Sequence, residues 1–185
     1  MHYSLAIHPS EAILSLVKTM KELLASDIDW FHSKNSVGHI TICEFKASEK
    51  RIQIIKKNLK QLCDTIDPLE IILDSFDSYP NGTFFIAPNP SSKESLKPIM
   101  KRVQDVIRIL NIKKSNDPHL SIARKLSPEK LEIATHLFTE IKEIFLCESI
   151  VLRQFDENIK QFSVIEKYTF NSYPPLPELI QGSLF

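Results

Sequence analysis

Apolar positions along the chain change spacing repeatedly, from the continuous or alternating pattern of strands to the three-and-four pattern of helices. Residues 3–7 predict a short strand. Pro9 and Ser10 then open a helix, with Ser10 as N-cap and Ile13, Leu16, Val17, Met20 and Leu24 on one face. Residues 38–45 predict a second strand. Ser48 caps a second helix along Ile52, Ile55, Leu59, Leu62 and Ile66, which Pro68 stops, and residues 71–76 are strand-like. The pattern then restarts. Residues 83–87 predict a strand, and a helix buries Leu96, Ile99, Met100, Val103, Val106, Ile107 and Leu110. Residues 119–124 form a strand, and Ser127-Pro128-Glu129 starts a helix running through Leu131, Ala134, Leu137, Phe138 and Ile141. Residues 150–155 and 162–170 read as two final strands, and a Pro-rich tail, 172–185, follows.

This order contains an internal repeat of about 80 residues. The strands at Tyr3 and Thr83 correspond. So do the helix starts at Ser10 and Ser92, those at Ser48 and Ser127, and the segments IILDSFD (71–77) and IVLRQFD (150–156). Four consecutive elements at nearly one offset predict two similar halves about a pseudo-two-fold axis, with equivalent residues facing across a groove.

Within the repeat lie two short matching segments, GHITI with His39 and Thr41, and PHLSIAR with His119 and Ser121. Each reads histidine, apolar, hydroxyl, apolar. On a strand the histidine and hydroxyl share one face, and the apolar pair anchors the other. On the order of 0.15 such tetrads are expected by chance, so two in equivalent places are a specific signal. Two histidines flanking one phosphate can supply a base and an acid near neutral pH. The hydroxyls can donate to phosphoryl oxygens as charge develops.

On these tetrads and the repeat, the sequence resembles the two-histidine (2H) phosphoesterase superfamily, in its 2'-5' RNA ligase (LigT-like) branch. The resemblance covers roughly residues 1–170. It implies an α+β fold: one bilobal domain over 1–185, with two pseudo-symmetric lobes, antiparallel sheets lining a central cleft and helices outside. It implies cyclic phosphodiesterase or 2'-5' ligase chemistry on RNA ends or small cyclic nucleotides. It further implies that His39, Thr41, His119 and Ser121 are catalytic, with neither metal nor cofactor. A non-catalytic module that binds nucleotides or RNA ends is the competing reading on the same fold.

Other candidates are weaker. Arg124 follows Ser121 by three residues, so regular alternation turns it from the tetrad face, although a bend at the strand end would bring it to a phosphate. Trp30 is weighed as a base-stacking aromatic against the commoner core role, which is preferred. Of Phe84 and Phe85, set against Ser4 and Leu5 of the first half, one faces the core, and Phe85 is taken as the cleft residue. Cys43 shares the tetrad face by alternation. Lys113 and Lys114 read as a solvated loop. His2, His8, His32 and His136 lack the tetrad. A metal site through His39 and His119 is disfavoured, since no acidic residue or third histidine stands at ligand spacing.

Composition narrows partners and setting. Lysine plus arginine equals aspartate plus glutamate, at 23 each, which argues against gripping a long duplex. Three glycines leave no Gly-rich phosphate loop, and three widely spaced cysteines offer no disulfide framework or structural zinc site. No signal peptide or membrane span is evident, so the cytoplasm is the expected compartment, and a neutral surface with a self-contained repeat makes a monomer the default.

Overall fold

The structure, a computed structural model, describes residues 1–174; the remainder of the Pro-rich tail lies outside the described residues. Element order is β1 (His2–Ile7), α1 (Glu11–Ile28), β2 (Ile40–Lys46), α2 (Glu49–Asp64), β3 (Leu69–Tyr79), β4 (Thr83–Pro88) and α3 (Pro90–Ile107). Then come β5 (Lys113–Lys114), β6 (Leu120–Ala123), α4 (Pro128–Leu137), β7 (Glu143–Cys147), β8 (Ser149–Asp156) and β9 (Gln161–Thr169). The strands form one curled antiparallel sheet in the order β7-β3-β4-β6-β2-β1-β8-β9, with β5 added beside β2. The two expected sheets are thus joined, and the join is the pairing of β2 with β6.

Local chemistry explains the helices. Ser48 Oγ accepts the Arg51 N–H at 3.3 Å, Ser127 Oγ accepts the Lys130 N–H at 3.4 Å, and Pro90 and Pro128 occupy first helical positions. α3 starts earlier than the sequence suggests. Asn89 is its cap, accepting the Ser92 N–H at 2.8 Å, while Ser92 Oγ accepts from the Ile72 N–H of β3 at 3.0 Å. The caps Ser10 and Asn89 are therefore 79 residues apart, as are Ser48 and Ser127. α4 stops at Leu137, short of Ile141. β7 carries no alternation in the sequence because this edge strand exposes Ile144 and Leu146 while burying Phe145 and Cys147.

The halves interleave. β3 follows α2 in the chain but pairs with β4, and β8 follows β7 but pairs with β1. Ser4 lies opposite Arg153, and its counterpart Thr83, 79 residues on, lies opposite Tyr79. Arg153 and Tyr79 are therefore structural equivalents. The similar segments IILDSFD and IVLRQFD match in composition but are five residues out of structural register.

The β3–β4 turn depends on Gly82. Its φ is +75°, and an added Cβ would lie 2.2 Å from the Leu126 carbonyl oxygen. Leu126 N–H in turn donates to Gly82 O at 2.9 Å, tying the turn to the segment after β6. Gly82→Ala is expected to cost at least about 2 kcal/mol. Urea unfolding checks this, and an unchanged midpoint would contradict it.

Candidate functional site

The tetrads meet at the seam. Ile40 pairs with Leu120, and both are fully buried on the core face. Carried one residue to either side, antiparallel register sets His39 opposite Ser121 and Thr41 opposite His119. All four are half-buried on the face away from the core. The sequence thus places four polar side chains on one patch through two apolar residues that never leave the core.

Each strand bulges just past its tetrad hydroxyl. β1 pairs Leu5 with Cys43 and Ala6 with Thr41, so Ile42 is an extra residue. β4 pairs Phe84 with Ala123 and Phe85 with Ser121, so Ile122 is extra at the equivalent point. Both freed carbonyls are caught. Ile42 O accepts from Gln104 Nε2 and from the Ser115 N–H, each at 3.0 Å, and Ile122 O accepts from Ser33 Oγ at 3.2 Å. The bulges correct three readings. Cys43 turns to the core beside Leu5, where burial pushes its thiol up to about 12. By register past the extra residue Arg124 falls on the tetrad side with Ser121, and its charge acts on His39. Phe84 and Phe85 correspond to Leu5 and Ala6, with Phe85 on the tetrad side.

The two histidines are held alike. His39 Nδ1 lies 2.7 Å from Val37 O, and His119 Nδ1 lies 2.8 Å from Asp117 O. A carbonyl only accepts, so each ring carries its proton on Nδ1 when neutral. Nε2 is then the free nitrogen on each ring, able to take a proton or, once protonated, to give one.

Their surroundings differ. Burial lowers the His39 pKa well below its ordinary 6.5, and the charges of Arg153, Lys21 and Arg124 lower it further, against the Val37 hydrogen bond. His39 nonetheless keeps part of its surface open. Lys21 is buried, and burial draws it to about 8. It donates to Ser33 O, Ser36 O and Ser36 Oγ at 2.9, 2.7 and 3.1 Å, fastening the loop that leads to His39. Gly38 makes that approach close, since an added Cβ would meet Val17 Cγ1 at 3.3 Å.

Around His119 the fold assembles groups that no motif links. Tyr79 Oη lies 3.3 Å from His119 Nδ1, and the phenol donates to Asp117 Oδ2. Lys93 Nζ closes on Asp117 Oδ1 at 3.3 Å. The rings of Tyr79 and Phe85 flank the imidazole, at centroid distances of 5.1 and 4.9 Å. On the other half Arg153 is buried on β8, with Nη2 donating to Ser4 Oγ at 2.7 Å and the guanidinium 5.3 Å over the Phe162 ring. The only available signal was the residue two before each histidine, valine in one tetrad and aspartate in the other.

Arg124 is exposed, and its N–H donates to His32 O at 3.0 Å. Trp30 is 60% exposed, edge-on to His32 at 4.8 Å, which overturns its core reading; the neighbouring Phe31 is the buried one. Phe85 is 1% exposed, with its ring against Tyr79 and His119. Lys113 and Lys114 form β5 against Glu44 and Cys43. Two depressions flank α3, one beside Lys97, Lys101 and Lys114 and one beside Asp77 and Lys93; neither includes a tetrad residue. Among the described residues no three His, Cys, Asp or Glu side chains gather as a metal site, and no helix is long and apolar enough to cross a membrane.

A family model described as the 2'-5' RNA ligase superfamily matches residues 9–158. The chain belongs to that superfamily. The resemblance drawn from the tetrads is therefore borne out, and so is the LigT-like α+β fold. No curated protein matches the chain. Among solved structures, TT0787 of Thermus thermophilus aligns with TM-score 0.62 at 14% identity, over 92% of this chain and 98% of its own. E. coli LigT complexed with NADP+ aligns with TM-score 0.64 at 9% identity, again over 92% and 98%. LigT complexed with 3'-AMP gives 0.62 at 8%, over 91% and 96%. At such identities the likeness shows a shared fold.

The depressed His39 pKa has a consequence for stability. Below its ordinary value of 6.5 the unfolded chain binds a proton that folded His39 refuses, so stability falls as pH drops through that range. His39→Gln should flatten this acid-side slope in denaturant midpoints between about pH 4 and 7. An unchanged slope would contradict the shift.

Proposed function

We propose that the chain is a metal-independent phosphoesterase that opens 2',3'-cyclic phosphates, or cleaves 2'-5' linkages, at RNA ends or in small nucleotides. One observation carries this reading: two histidines at one seam, each anchored through Nδ1 with Nε2 free. One Nε2 takes the proton of an attacking water, and the other gives a proton to the departing ribose oxygen. Thr41 and Ser121 donate to the phosphoryl oxygens; among the described residues, the tetrads' hydrogen-bonded side chains are the two histidines alone. With a nucleoside hydroxyl as attacker, the same set would run the reaction as a ligation.

Superfamily membership supports this chemistry class, and the LigT complexes with NADP+ and 3'-AMP support a nucleotide-sized ligand. Arg124, turned to the tetrad face, is proposed as a phosphate contact. Trp30, beside His32 and hence beside Arg124, is proposed as a stacking surface for a base. Phe85 is proposed to line the substrate side from beneath, backing His119. Both histidines come from one chain, so a monomer suffices, working as one bilobal unit.

The test is turnover of a nucleoside 2',3'-cyclic phosphate with EDTA present. Wild type should turn over, and His39→Ala and His119→Ala should each lose at least about 10²-fold. A wild type that binds nucleotide but never turns over would replace this reading with the non-catalytic module.

A further inference from the structure

The two halves are alike in backbone and unlike in charge. At equivalent places, β3 presents Tyr79 and β8 presents Arg153. His119 Nδ1–H therefore has two acceptors, the Asp117 carbonyl and the Tyr79 oxygen, and a carboxylate stands one hydrogen bond further on. His39 Nδ1–H has the Val37 carbonyl alone, and the charges acting on its ring, Arg153 from β8, Lys21 from α1 and Arg124 beyond β6, are all cationic. Facing His119 are Tyr79 from β3, Asp117 from its own loop, and Lys93 from α3, which is tied to Asp117.

We propose that Tyr79, held by Asp117, is the positioning residue of His119, and that this arm makes His119 the proton donor and His39 the proton acceptor in hydrolysis. The inference rests on the phosphoesterase reading above and supplies its direction. Water gives one proton to His39 Nε2 as its oxygen bonds to phosphorus. The bond from phosphorus to one ribose oxygen breaks, and that oxygen takes the proton from His119 Nε2. The product is a nucleoside phosphomonoester, and exchange with solvent resets both rings.

Each part of the arm suits this work. Burial, with Asp117 as hydrogen-bond acceptor, holds the Tyr79 phenol well above its ordinary range, so it stays protonated and remains a donor. Burial opposes the Asp117 charge, but the Tyr79 hydrogen bond and Lys93 outweigh it and hold the carboxyl below the usual range. The phenol oxygen thus faces Nδ1 with its lone pairs, backed by the carboxylate, and fixes the ring with Nε2 as its free end. On the other side, a cation at Nε2 of His39 would meet three cations. A neutral ring is favoured there, as a base requires.

The experiment is the pH profile of kcat and KM on a nucleoside 2',3'-cyclic phosphate for wild type, Tyr79→Phe, Asp117→Asn, His39→Ala and His119→Ala. Phenylalanine keeps the ring, so Tyr79→Phe is expected to fold as wild type by circular dichroism, with Asp117→Asn as the second variant. Tyr79→Phe should lower kcat about tenfold near neutrality with KM within about twofold, and move the alkaline limb to lower pH. Asp117→Asn should repeat this. Residual activity of His119→Ala should lack the alkaline limb, and that of His39→Ala the acidic one. An active wild type whose Tyr79→Phe profile superimposes on it, or whose limbs are lost in the opposite assignment, overturns this inference and leaves the phosphoesterase reading standing. An inert wild type overturns both.

Discussion

The pairing of Ile40 with Leu120 is the contact on which the site depends. It is a single bridge between two strands that each leave the other within a residue or two, yet it closes one sheet out of two halves. Both residues are wholly buried, so the seam is held by core packing rather than by the polar groups it displays. A slip of one residue there would turn one of the two histidines toward the core and bring its strand's buried apolar residue out, a cost that keeps the register fixed. The bulges at Ile42 and Ile122 then let the strands diverge, and Gln104, Ser115 and Ser33 take up the carbonyls this frees. The chemistry is laid on a backbone whose irregularities are themselves satisfied.

Within that frame symmetry supplies the pair, and departures from it supply the difference between its members. Equivalent carbonyls, two residues before each ring, fix both tautomers. The side chains at equivalent positions of β3 and β8 then diverge, a phenol bonded to a carboxylate beside one ring and a buried guanidinium on the side of the other. Burying Arg153 is costly: its Nε has no partner among the described residues, and burial pulls its pKa down to about 10. A cation kept there despite that cost is the kind of feature expected near a working site.

Much of this was legible in the sequence, and what was not has physical reasons. Helix faces and caps carry strong periodic and chemical signals, so α1 and α2 lie where the spacing puts them, and the tetrads announce themselves through paired spacing. The bulges do not. Ile42 and Ile122 are apolar either way, so nothing in the pattern tells that Cys43 turns inward and Arg124 outward. Apolar side chains on both faces of β7 hide its period. Trp30 lies at the surface because Phe31 takes the buried place beside it. The arm on His119 joins residues 38 positions apart in no motif, and only the sheet brings Tyr79 to Asp117.

The central claim is that one phosphate sits between the two free Nε2 atoms. The most direct measurement is a crystal structure of the chain with a nucleoside 2'- or 3'-phosphate, the product of the proposed reaction. The account predicts phosphoryl oxygens within hydrogen-bond reach of Nε2 of both His39 and His119, with the hydroxyls of Thr41 and Ser121 donating to the same group. A nucleotide bound away from the seam, or a histidine turned so that Nδ1 rather than Nε2 meets the phosphate, would contradict it.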